Sequence, residues 1–161
     1  MFYKMIENKC KEWYSSDQCT VRNLIEYIEK TGQMRDAQIE AIKVYLFLKI
    51  GCECKPLEFL FRYGCFNSIN LNDIELSTAT REYLEENPAA TALFEYSRLT
   101  NDKGEQVSEK LEKQIKKDPS SIDYDAFFRT AFYGVSYTDY LFSLPMGAGK
   151  TYLMAAFIYI D

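Results

Sequence analysis

Residues 143–161 read SLPMGAGKTYLMAAFIYID. The run that leads into them, YTDYLFSLP (137–145), is short, apolar and aromatic and is bounded by Pro145, which predicts a strand buried on both faces. MGAGK (146–150) is a glycine loop, and TYLMAAFIYI (151–160) is helical and almost wholly apolar. Strand, glycine loop and helix in this order open an α/β nucleotide-binding unit.

Upstream of Gly134 the punctuation is helical. TVRNLIEYIEKTG (20–32) starts on Thr20 as a cap, spaces Val21, Leu24, Ile25 and Ile28 at helical intervals and stops on Gly32. MRDAQIEAIKVYLFLKIG (34–51) places Ile39, Ile42, Leu46 and Ile50 near one face, widened by Val44, Phe47 and Leu48, and closes on Gly51. Its apolar second half predicts deep burial. KPLEFLFRYG (55–64) fits a short helix between Pro56 and Gly64. FNSINLNDIELS (66–77) reads as a loop. Pro88 divides 78–99 into two short helices, because the residue before a proline is pushed out of helical geometry. NDKG (101–104) is a turn. EQVSEKLEKQIKKD (105–118) is a charged surface helix with Val107, Leu111 and Ile115 on one side. SSIDYDAFFRTAFYG (120–134) is a last helix that buries Phe127, Phe128, Ala131 and Phe132.

Composition narrows the chemistry. The 161 residues are 47% hydrophobic and 16% aromatic, enough for a sizeable core. There is no histidine, which excludes Ser-His-Asp and Cys-His catalysis and histidine-ligated metals. The net charge of −5, with both signs mixed along the chain, supplies no basic face for nucleic acid. Cys10, Cys19, Cys52, Cys54 and Cys65 are odd in number and irregular in spacing, which reads as reduced thiols in a cytoplasmic protein. No apolar stretch reaches the roughly 18 residues a membrane span needs, and the N-terminus lacks a signal core.

The loop residues match a phosphate cradle. Gly147 and Gly149 permit backbone angles and close approach that a β-carbon would block. Successive amides then form an anion-binding nest, backed by the positive N-terminal end of the next helix. Lys150 would reach the β- and γ-phosphates of ATP, and Thr151 would offer its hydroxyl to Mg²⁺. The full phosphate-loop pattern wants glycine six residues before the lysine, where Leu144 stands; the shorter Pro-x-Gly-x-Gly-Lys-Thr form is met. The bland alternative is a strand-to-helix turn with two glycines.

LPMGAGKT (144–151) resembles motif I of superfamily 2 helicases and translocases, and the wording of 133–161 is similar to DEAD/DEAH-type proteins of the type III restriction enzyme subunit R kind. Leu144 and Met146 depart from the residues commonest at those positions. MRDAQIEAI (34–42) is similar to the Q-motif region of the same motors. The resemblance implies that Gln38 reads adenine through one amide donor and one acceptor, with Arg35 in support. It further implies that Met146, Gly147, Ala148, Gly149, Lys150 and Thr151 hold the phosphates of ATP and its Mg²⁺. About 110 residues separate Gln38 from the loop, so the helical stretch between them must fold out.

The expected fold is mainly α: a helical N-terminal region followed by the first strand, phosphate loop and helix of an incomplete RecA-like α/β domain. Its segments are 1–51, N-terminal helices with the Q-like stretch; 52–134, a helical insertion; and 135–161, the start of the ATPase domain. No acidic Mg²⁺ box follows the loop, so the chain reads as an N-terminal fragment whose own hydrolysis is negligible. DNA, and a modification or specificity subunit, would be partners of the full-length protein, and the apolar final helix suggests self-association of the fragment. A small NTPase or kinase and a helical interaction module with an incidental loop are the other readings.

Overall fold

The computed structural model describes residues 2–101, 103–134, 142–143 and 146–160. The described chain is mainly helical. In order it forms α1 (Phe2–Ser15), α2 (Arg22–Thr31), α3 (Asp36–Leu46), α4 (Leu57–Arg62), α5 (Thr78–Glu86), α6 (Pro88–Arg98), α7 (Glu109–Lys117), α8 (Tyr124–Ala131) and α9 (Lys150–Ile160). Most of the strand expected over 137–145 lies outside the described residues; Phe142 and Ser143 carry no regular structure. The one extended pairing among the described residues is an isolated bridge between Thr100 and Gln106.

The chain divides into two compact units. One takes Met1–Lys9 and Pro56–Thr138, the other Cys10–Lys55 and Asp139–Asp161. The boundary falls inside α1, which the sequence did not announce as a helix.

In the first unit α6 is the central helix, with Ala89 through Glu95 and Ser97 all buried. Its alanines at 89, 90 and 92 leave room for neighbouring helices to approach, and α4, α5, α7 and α8 all pack on it. Pro88 sits at the first position of α6, where its missing N–H is no loss. Phe61 is fully buried among Phe2, Phe66, Phe132 and Phe128, with ring centroids 4.8, 4.8, 5.3 and 5.8 Å away. Of the residues expected to be buried on α8, Phe128 is fully so, while Phe127, Ala131 and Phe132 are half-buried.

A buried carboxylate organises the loop over 66–77. Glu95 Oε2 accepts from the backbone N–H of Ser68 and Ile69 at 2.9 and 3.1 Å, and Oε1 accepts from the Ser68 hydroxyl at 2.6 Å. These donors satisfy the polar oxygens of a side chain held away from water. Ser77, Ser108 and Asp123 cap α5, α7 and α8 through side-chain oxygens that accept backbone N–H bonds. α7 is amphipathic rather than wholly solvated, since Ile115 is fully buried.

The second unit gathers the end of α1 with α2, α3 and α9. Trp13 packs on Phe47 at 5.6 Å between ring centroids, and Ile25, Ile42, Val44, Leu46 and Leu48 are buried. After Leu46 the α3 helix widens into a π-helical turn, Phe47–Gly51, which ends where a β-carbon on Gly51 would come within 2.9 Å of the Phe47 ring. Thr20 does not cap α2: its N-cap is Val21, which offers no side-chain acceptor. α9 lies against α3, with Leu153 buried and the Phe157 ring 4.7 Å from that of Tyr45.

Candidate functional site

The glycine loop and the Arg35–Gln38 segment come together within the second unit. Arg35 is the N-cap of α3, in extended geometry at φ −80° and ψ 155°. Gln38, at the third helical position, folds back so that its Oε1 accepts from the Arg35 backbone N–H at 2.8 Å. This is the reciprocal half of a capping box, and it satisfies a donor that the helix start leaves open. The other end of the same amide reaches across: Gln38 Nε2 donates to the Gly149 carbonyl at 2.8 Å. A backbone N–H can only donate and a carbonyl can only accept, so these two partners fix which way the amide faces. The Arg35 guanidinium donates through Nη1 to the Gly147 carbonyl.

Both glycines are needed for their backbone. Gly147 stands at φ +79° and Gly149 at φ +75°, in the left-handed region that side chains disfavour. Gly149 has a second constraint, because a β-carbon there would lie 2.7 Å from Gln38 Nε2. A β-carbon on Gly147 would meet no heavy atom within 4 Å. Ala148 between them is buried, at 8% exposure, and Met146 before them is 98% exposed.

Gly149 also begins α9, since its carbonyl accepts from the N–H of Tyr152 and Leu153 at 3.1 and 3.2 Å. Lys150 and Thr151 form the first turn, both exposed. Among the described residues, the backbone N–H groups of Ala148, Lys150 and Thr151 and the Lys150 ammonium have no partner. A third tether, not foreseen from the sequence, joins the helix to the segment before α3: the Tyr152 hydroxyl donates to the Gly32 carbonyl at 2.9 Å. No local signal could have shown it, because its two ends are 120 residues apart.

No family model, curated protein or solved structure matches this chain. A loop whose amides have no partner among the described residues, at the start of an 11-residue helix and followed by an exposed cation and an exposed hydroxyl, is a donor set suited to a polyanion with a hard divalent cation. Among the described residues there is no group of three or more Cys, Asp or Glu that could hold a metal ion. No described helix is long and apolar enough to cross a membrane.

Proposed function

We propose that residues 146–151 bind the phosphate chain of a nucleoside triphosphate together with Mg²⁺, ATP being the nucleotide the motor-protein resemblance implies. The observation that carries this reading is the sequence GAGKT seated with positive φ at both glycines, with amides at the start of α9 that have no partner among the described residues. Ala148, Lys150 and Thr151 would donate backbone N–H groups to phosphate oxygens. Lys150 would bring a mobile positive charge to the terminal phosphates, and Thr151 an oxygen to Mg²⁺.

In the wider reading this segment is the N-terminal nucleotide-binding part of a superfamily 2 helicase or restriction-type translocase, and α9 is the first helix of its RecA-like domain. The whole protein would hydrolyse ATP while moving on DNA, and modification or specificity subunits would be its partners. Within this chain the loop binds and orients the nucleotide; positioning of water and transition-state charge would fall to other segments.

The test is calorimetric titration of the chain and of Lys150→Ala with ATP and Mg²⁺. Binding by the wild type that falls at least about tenfold in the variant is the expected result, the loss of one charge-assisted contact being worth about 1.5–3 kcal/mol. Equal heats from both proteins would remove Lys150 from the site. A second reading, a helical interaction module, is favoured by one observation: Met154, Ile158 and Tyr159 on α9 are 63, 79 and 83% exposed. It predicts no nucleotide heat at all, and self-association through α9.

A further inference from the structure

We infer that Gln38 and Arg35 serve the loop and not the base: they turn two of its peptide groups so that the amides of Ala148 and Lys150 are presented to phosphate, which leaves the site without base selectivity from Gln38. The inference rests on the phosphate-loop reading.

Its basis is the geometry of the peptide bond. In a planar trans peptide the C=O and the N–H point in opposite directions, and there is no cis bond among the described residues. The Gly147 carbonyl is held by the Arg35 guanidinium, so the N–H of Ala148 in the same peptide points away from Arg35. The Gly149 carbonyl is held by Gln38 together with the N–H groups of Tyr152 and Leu153 in the first turn of α9, so the N–H of Lys150 points away from Gln38. Those are two of the backbone donors without a partner among the described residues. Carbonyls and amides alternate along a chain. A loop that binds anions must turn its carbonyls aside, and here two side chains from the start of α3 hold those of Gly147 and Gly149, the latter shared with the first turn of α9.

The same bonds count against base reading by Gln38. Its side chain is 3% exposed, its Oε1 is engaged by Arg35 N–H and one of its two amide hydrogens by Gly149. Adenine recognition by a glutamine needs its acceptor and a donor open to the base together, and here the residue is buried with both ends of the amide bonded inside the protein. What remains is a positioning role, supported by the absence of a β-carbon at Gly149 where Gln38 makes its closest approach.

The experiment compares ATP, GTP and inorganic tripolyphosphate, each with Mg²⁺, against the wild type, Gln38→Ala and Gln38→Glu. The glutamate keeps an acceptor for the Arg35 N–H but loses the donor to Gly149. Circular dichroism shows that each variant is folded. The three ligands should bind the wild type within about threefold of one another, and both Gln38 variants should weaken all three by the same factor, about tenfold. Amide nitrogen–proton spectra give a readout that a merely structural role would not move. Mg²⁺-tripolyphosphate should displace the Lys150 amide resonance in the wild type and displace it markedly less in Gln38→Glu, where only the α9 N–H groups of Tyr152 and Leu153 still hold the Gly149 carbonyl, while Ala148 responds as before. Arg35 is exposed, so Arg35→Ala keeps the fold and should show the reverse, Ala148 silent and Lys150 responding.

ATP favoured more than tenfold over GTP and tripolyphosphate, with the preference lost in Gln38→Ala, would overturn the inference while leaving the phosphate loop intact. Gln38 variants that bind all three ligands as the wild type does would also overturn it. Binding of none of the three by the wild type would overturn the phosphate-loop reading itself, and the inference with it.

Discussion

Replacing Gly149 by alanine is expected to lower nucleotide affinity by at least about thirtyfold while the helical units stay folded. Two penalties coincide there. A left-handed backbone costs a residue with a side chain about 1–2 kcal/mol, and the new methyl group would lie 2.7 Å from Gln38 Nε2, displacing the bond that Gln38 makes to the Gly149 carbonyl. Losing that bond adds about 1 kcal/mol. Gly147→Ala separates the terms, since Gly147 has the same backbone angle, at φ +79°, but open space around it; a loss of about tenfold is expected there. The collision also predicts coupling. In a Gln38→Ala background Gly149→Ala should do less damage than in the wild type, and strict additivity would show that the two residues do not touch in solution. Affinities from the same calorimetric titrations supply all four corners of that cycle.

Phe61→Ala is expected to destabilise the first unit by about 3–5 kcal/mol, the range found when a fully buried phenylalanine is truncated to alanine. Phe61 is 0% exposed and touches four other phenylalanine rings drawn from α1, α8 and the segment after α4, so no single neighbour can fill the void by a change of rotamer. Chain stabilities of this size run to about 5–15 kcal/mol, so the variant should unfold at markedly lower urea. The check is equilibrium unfolding followed by far-ultraviolet circular dichroism. A loss below about 1 kcal/mol would contradict the packing described for α4 and α8.

The elements that could be read from the sequence were those announced by local chemistry. Pro88 opens α6 because the missing N–H and fixed φ of proline act within its own turn, and Gly64 ends α4 at φ +69° for an equally local reason. The loop at 66–77 was legible in its Asn, Asp and Ser content, but the carboxylate that fixes it, Glu95, belongs to a helix further along the chain. Thr20 failed as a cap because the first turn of α2 begins one residue later than its hydroxyl could serve, leaving Val21 in that place. α1 carries no strong start or stop signal, and its first half buries Met5 and Ile6 and stacks Phe2 on Tyr96, a partner far along the chain.

At the site, the pattern GAGKT marked the loop, and the likeness of 34–42 to a Q-motif singled out Gln38 as an adenine reader with Arg35 in support. The structure brings all of these residues into one place. The direction of the Gln38 amide was not legible, because its bond to Gly149 spans 111 residues and only the folded chain brings those groups within reach. The Gln at the third helical position does carry a local hint, since a capping box turns such a side chain back toward its own N-cap.

The measurement that bears most directly on the central claim is an experimental structure of this chain with Mg²⁺ and a non-hydrolysable ATP analogue. The account predicts phosphate oxygens within hydrogen-bond distance of the backbone N–H groups of Ala148, Lys150 and Thr151, with the Lys150 ammonium on the terminal phosphates and Gln38 still bonded to Gly149. Phosphates seated elsewhere on the chain, or a loop left bare at saturating ligand, would contradict it.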